Sequence, residues 1–130
     1  MTKYIILAAG GAIGTIFRYS LSGLTQRAFD STFPWGTLFV NLAGSFFIGL
    51  LWGLFELQNL SPNARNFIFI GILGGFTTFS TFALENMNLF RDGEIRLAIS
   101  NLLASNIFGI ALVFAGFLLS KYLINLLRTG

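Results

Sequence analysis

Residues 71–85 read Gly71-Ile72-Leu73-Gly74-Gly75-Phe76-Thr77-Thr78-Phe79-Ser80-Thr81-Phe82-Ala83-Leu84-Glu85. They close an interval, 67–84, that carries no charge until Glu85. A neutral run of that length suits a membrane-spanning helix, since a hydrocarbon core of about 30 Å takes around 20 mostly apolar residues. Yet adjacent glycines lower helix propensity, and four hydroxyl residues directly after them offer the backbone competing hydrogen bonds. The segment predicts a transmembrane helix that is broken near its middle. Irregular backbone at such depth is tolerated only when buried in protein or lining a cavity, and carbonyls freed there are ready ligands for a hard cation. The plainer reading is a packing kink with Ser and Thr bonded back to the preceding turn; the Gly-Gly pair beside the hydroxyls favours the break.

Working outward, the charges leave three more long intervals: 4–24, interrupted only by Arg18, then 31–55 and 97–120. The chain is 55% hydrophobic and 10% charged, against roughly 25% charged for an ordinary soluble domain. These features predict an all-α membrane protein, a single four-helix domain over 1–130 with spans at about 4–24, 36–55, 67–89 and 97–120. The connections, Thr25 to Pro34, Glu56 to Arg65 and Arg91 to Arg96, are short and polar and leave no room for a soluble domain. Lys3 followed by an apolar run with Ala8 and Ala9 also fits a signal peptide, but the run continues past Gly14 to spanning length. With no removable leader, the expected location is a cell membrane. Cys and His are absent, which excludes disulfides, thiolate chemistry and imidazole catalysis. An enzyme is not expected. The net charge of +3 is spread too thinly for a nucleic-acid surface.

An even number of spans puts both termini on one side. That side carries Lys3, Arg65, Lys121 and Arg128; the other carries Arg27, Arg91 and Arg96, with Arg18 toward the same end of the first helix. Four cations against four give no orientation bias under the positive-inside rule. Either a single residue sets the orientation, or the chain inserts both ways and pairs with an inverted copy of itself. The second reading supplies between subunits the inverted repeat that larger transporters carry within one chain, and it predicts an antiparallel, dual-topology homodimer. Size points the same way, because four helices fill their own centre and enclose no water path. Glycines at four-residue spacing, Gly10/Gly14, Gly49/Gly53 and Gly71/Gly75, predict close helix approach within lipid.

Function belongs where polar groups enter the membrane. Arg18 sits about six residues before the expected end of the first helix, roughly 9 Å deep at 1.5 Å per residue. Asn41, Glu85 and Asn101 fall at comparable depth in the same leaflet. One such residue would be ordinary, with Arg18 snorkelling and Glu85 pairing with it or with a loop; four together predict a water-filled vestibule. Phe79 and Phe82 are three apart and share a helical face near the hydroxyls. Ring edges are positive and hold an anion more loosely than a fixed ammonium would, and weak holding permits throughput.

Gly11-Ala-Ile-Gly14 with Arg18-Tyr19, then Trp35-Gly36-Thr37-Leu38-Phe39-Val40-Asn41 with Gly44 and Gly49, then Gly74 through Phe82 with Glu85, together resemble the Fluc (CrcB) family of fluoride ion channels. The resemblance covers three of the four helices in order. It implies a fluoride-selective channel for passive efflux across the bacterial inner membrane, built as an antiparallel homodimer with two pores and surrounded by lipid. It also implies a structural sodium ion at the dimer centre, held by the Gly74 and Thr77 carbonyls. Phe79 and Phe82 would be the pore phenylalanines and Asn41 the polar pore residue of the second helix. Ser80 and Thr81 would form the hydroxyl track, Arg18 the anion-attracting vestibule, and Thr37 and Glu85 the pore approach. On the fourth helix Ser105 aligns with a pore serine, whereas Gly109 stands where some members place a second hydroxyl, and Asn101 and Asn106 have no assigned counterpart.

Two rivals share these features. A small dual-topology multidrug transporter has similar length and span count but needs an acid near the middle of the first helix, where the only charge is Arg18. A non-transporting membrane assembly subunit would use the same polar residues merely to join helices.

Overall fold

A computed structural model of the chain describes residues 1–56 and 58–129; of the single domain expected over 1–130, Leu57 and Gly130 lie outside the described residues. The described residues are helical throughout apart from short connections. Helix α1 spans Thr2–Phe29 and α2 spans Trp35–Phe55. A short α3, Pro62–Arg65, continues into eight residues of π-helix, Asn66–Leu73, and then into α4, Gly74–Phe76. Helix α5 spans Phe79–Arg91 and α6 spans Ile95–Thr129. Four stretches, Thr2–Phe29, Trp35–Phe55, Pro62–Arg91 and Ile95–Arg128, are long and apolar enough to cross a membrane.

Local chemistry accounts for the boundaries. Ser61 caps α3, its hydroxyl accepting from the Ala64 N–H at 3.2 Å, and Pro62 occupies the first turn, where its missing N–H is not needed. Helix α1 runs past the expected end at 24, so Arg18 lies eleven residues before the end at Phe29 rather than six. The extra turn is held by Gln26. Its amide donates to the carbonyls of Ser31 (2.6 Å) and Phe33 (3.1 Å), and its oxygen accepts from the Gly36 N–H (3.1 Å), tying the end of α1 to the start of α2.

Packing pairs the elements crosswise. Helix α1 lies along the first half of the third span, with glycine facing glycine. A Cβ added at Gly10 would stand 2.7 Å from the Phe67 carbonyl, one at Gly71 2.9 Å from the Gly10 Cα, and one at Gly75 2.8 Å from the Gly11 carbonyl. Helix α2 lies along α6, where Gly49 and Gly53 face Val113, Phe117 and Ser120, and Gly116 faces Phe46 and Leu50. Without side chains at these crossings, backbones meet and dispersion contacts replace the hydrophobic drive that lipid removes. Large apolar side chains stand exposed along every long helix, the pattern of a chain surrounded by hydrocarbon.

Candidate functional site

The third span leaves helical geometry at two residues. Thr77 (φ −89°, ψ 156°) and Thr78 (φ −149°, ψ 119°) are extended between α4 and α5. Asn41, on α2, holds them there: its Oδ1 accepts from the Thr78 N–H at 2.7 Å and its Nδ2 donates to the Thr78 carbonyl at 3.0 Å. The Thr78 side chain then caps α5, its Oγ1 accepting from the Thr81 N–H at 3.2 Å while its own proton goes to Thr81 Oγ1 at 3.0 Å. Ser80 Oγ lies 3.4 Å from the same hydroxyl. Only Thr77 bonds back to the preceding turn, its hydroxyl and N–H both donating to the Leu73 carbonyl, at 3.1 and 3.0 Å.

These bonds divert two helical donors. In an unbroken helix the Thr78 N–H would close on the Gly74 carbonyl and the Thr81 N–H on the Thr77 carbonyl. Here the first goes to Asn41 and the second to Thr78 Oγ1. The Gly74 and Thr77 carbonyls thus lose their ordinary helical donors, and carbonyl oxygens of this kind are the ligand type that suits a hard cation.

Two cavities border this segment, and a third shares lining residues with the second of them. The first, about 340 Å³, is lined by Asn41, Ser45, Gly74, Thr77, Thr78, Phe79, Phe82, Ser105 and Asn106 among others. In its wall the Phe79 and Phe82 rings are neighbours, with centroids 5.6 Å apart at 50°; Phe79 is 78% exposed and Phe82 only 6%. At Gly109, which lacks a hydroxyl, an added Cβ would stand 3.6 Å from Ser45 Oγ, so at that turn the hydroxyl comes from α2. A second cavity, about 260 Å³, shares Thr78 with the first and adds Thr15, Arg18, Tyr19, Ser22, Thr37 and Thr81. A third, about 450 Å³, shares Ser22, Thr37 and Thr81 with the second and adds Gln26, Glu85, Asn88 and Asp92. Polar residues from Asp92 to Asn41 thus line three cavities, each sharing lining residues with the next.

The expected site residues fall into this chain of cavities in three groups. Gly74, Thr77, Asn41, Phe79, Phe82 and Ser105 line the first, Arg18, Thr37 and Thr81 the second, and Thr37, Thr81 and Glu85 the third. Ser80 lines none of the three and reaches the site only through Thr78. Glu85 is paired with neither Arg18 nor a loop: its Oε1 accepts from the Thr37 hydroxyl at 2.6 Å. Asn101 departs from the expected vestibule. It is 1% exposed and lines none of these cavities, lying behind Ser105. Sequence reasoning missed Thr78 as the hub and Ser45 as a lining hydroxyl. Thr78 stood inside the hydroxyl run without a mark of its own, and its partner Asn41 is 37 residues away.

The family model for the CrcB-like protein, Camphor Resistance (CrcB), matches residues 5–117. A fluoride-specific ion channel FluC of Parabacteroides distasonis is 48% identical over 128 residues, covering 98% of this chain and 100% of the relative. Proteins of the same name from Maridesulfovibrio salexigens and Thermus thermophilus are 42% and 43% identical, each over 96% of this chain and all of the relative. The four apolar spans make the chain a multi-pass membrane protein, and on the match to its family model and to these full-length relatives, it belongs to the CrcB family.

Proposed function

We propose that the protein is a fluoride-selective channel that lets fluoride leave the cell passively through its inner membrane. The observation that carries this is the run of cavities lined by donors and phenylalanines in a chain 48% identical, end to end, to a fluoride-specific channel. A small, strongly hydrated anion must exchange its water for other donors. Asn41 has two amide protons and gives one to Thr78, which leaves one for an anion. Thr81 receives the Thr78 proton and keeps its own to donate. Arg18, beside Thr37 and Thr81, draws anions toward that end. The Phe82 and Phe79 rings offer positive edges that interact without a full charge.

In this reading the channel is an antiparallel homodimer with two pores. One copy leaves Phe79 largely exposed beside the first cavity, and a second, inverted copy completes the wall there. A sodium ion at the centre would be held by the Gly74 and Thr77 carbonyls of both subunits, whose helical donors are diverted, and it would supply fixed positive charge where the interrupted helices cross. The test is fluoride efflux from proteoliposomes read with a fluoride electrode. A leak that requires the protein, persists without a proton gradient and is absent for chloride supports the channel. Liposomes that stay fluoride-tight reject it.

A further inference from the structure

Helices α5 and α6 form an antiparallel hairpin. It turns at Gly93 (φ 80°), where the Gly93 N–H donates to Phe90 O at 3.2 Å and the Glu94 N–H to Leu89 O at 2.8 Å. Counting outward from the Gly93–Glu94 bond, three pairs stand at equal distances: Leu89 with Ala98, Asn86 with Asn101, and Phe82 with Ser105. Leu89 is 5% exposed and Ala98 is fully buried, and α5 packs against α6. Asn86 (5% exposed) and Asn101 (1%) are the next pair inward.

Their amides are oriented by the pore residues. Asn86 Nδ2 donates to the Phe82 carbonyl at 2.7 Å, which leaves Oδ1 as its acceptor. Asn101 Oδ1 accepts from the Ser105 hydroxyl at 3.3 Å, which leaves Nδ2 as its donor. Among the described residues, Asn86 Oδ1 and Asn101 Nδ2 are both buried and both lack a partner. One is an acceptor and the other a donor, at matching positions on helices that pack together. A buried polar group left alone inside a membrane protein is strongly unfavourable, and these two are complementary.

Resting on the channel reading, we propose that Asn86 Oδ1 and Asn101 Nδ2, which make no bond to each other in this structure, close on one another as an amide pair that positions Ser105 and Phe82. Asn86, anchored on the Phe82 carbonyl, fixes the Asn101 amide; Asn101 then offers Ser105 an acceptor. At 3.3 Å that bond is long and weak, so an arriving anion can take the Ser105 proton, and the hydroxyl returns to Asn101 when the anion leaves. Both asparagines are positioning residues, and neither touches the ion.

Fluoride efflux from proteoliposomes tests the coupling with Asn101→Leu, Ser105→Ala and the double variant. Asn101→Leu slows efflux by about fivefold, the scale of one lost hydrogen bond. In the Ser105→Ala background it slows efflux by less than about twofold, because the residue it acts through is gone. An equal loss in both backgrounds overturns the proposal. Asn101→Asp supplies a near-isosteric check. As a neutral acid it keeps a carbonyl acceptor and gains an O–H donor, so efflux relative to wild type is retained at mildly acidic pH and lost at alkaline pH; a loss independent of pH overturns the role. Melting in detergent reads the pair without reference to transport. Asn86→Leu and Asn101→Leu each lower the melting temperature, and the double variant melts no lower than the worse single, whereas additive losses overturn the pair. A wild-type protein that carries no fluoride defeats the channel reading, while the melting comparison still decides whether the amides are paired.

Discussion

Between Asn66 and Phe76 the third span meets α1 backbone to backbone, with Gly71 on Gly10 and Gly75 on Gly11. Between Phe79 and Arg91 the same span is held by side-chain bonds, with the Thr37 hydroxyl of α2 donating to Glu85 and with Thr78, held by Asn41, capping its first turn. Past Asn66 the first half carries no polar side chain until Thr77; the second carries Ser80, Thr81, Glu85, Asn86, Asn88 and Arg91. The first seam works by shape and has no directional bond to lose, so it fails when bulk is added. The second works by paired donors and acceptors, so it fails when chemistry changes at constant bulk. The extended residues Thr77 and Thr78 stand at the boundary between the two regimes.

The sharpest break is expected in the first seam. A side chain at Gly14 collides with the Ile72 carbonyl and stands 2.9 Å from the Phe76 N, both of them backbone atoms that have no rotamer to escape into. Gly14→Val should therefore destabilise by roughly 1–3 kcal/mol or more, read as loss of folded protein on size exclusion in detergent. A well-folded Gly14→Val protein would show that this seam yields to bulk. The second seam is probed next by Asn41→Asp, which keeps volume. Its carboxylate still accepts from the Thr78 N–H but has no proton for the Thr78 carbonyl, and it places negative charge beside the first cavity. Fluoride efflux should fall at least about tenfold, the scale of losing a buried charge-sensitive contact, while the protein still elutes folded. Wild-type efflux would remove Asn41 from the path.

The two seams were not equally legible in the sequence. Charge intervals located all four spans, because a run without charge is a local property of the chain, and the four-residue glycine spacing marked Gly10/Gly14 and Gly71/Gly75, of which Gly10 meets Gly71 while Gly14 meets Ile72 and Gly75 meets Gly11. Less visible was the overrun of α1 to Phe29. It depends on Gln26 bonding Ser31, Phe33 and Gly36, a tertiary arrangement that no propensity encodes. The π-helical turns of Asn66–Leu73 carry no local mark, since the sequence Asn-Phe-Ile-Phe-Ile-Gly-Ile-Leu reads as an ordinary apolar helix. In the polar seam, residue types were readable but partners were not. Asn41 and Thr78 are 37 apart, Thr37 and Glu85 are 48 apart, and the position of Asn101 depends on the register of a hairpin rather than on its own neighbours.

Within the second half, exposure separates two residues of one type. Phe82 is 6% exposed and Phe79 is 78% exposed. Replacing Phe82 by Ile should lower stability by about 1 kcal/mol, whereas Phe79→Ile, at a ring its own subunit leaves uncovered, should cost less. Both should slow fluoride efflux several-fold if both rings face the path. Thermal unfolding beside efflux reads the difference, and a Phe79→Ile protein that conducts normally would leave Phe82 as the only ring with a role.

The smallest effect should come from Gly74→Ala, and it sharpens the comparison most finely. Gly74 and Gly75 are adjacent, yet an added Cβ at Gly75 would stand 2.8 Å from the Gly11 carbonyl, while one at Gly74 meets only the Phe69 carbonyl at 3.8 Å, an ordinary contact. Alanine also favours helix over glycine by up to about 1 kcal/mol. In the subunit described, Gly74→Ala should therefore leave the melting temperature unchanged or slightly raised, and Gly75→Ala should lower it. The contrast assigns Gly75 to the packing seam and leaves Gly74 as a position whose contribution is its carbonyl. If Gly74→Ala melts as low as Gly75→Ala, something packs against the open side of Gly74, and both glycines belong to the packing seam.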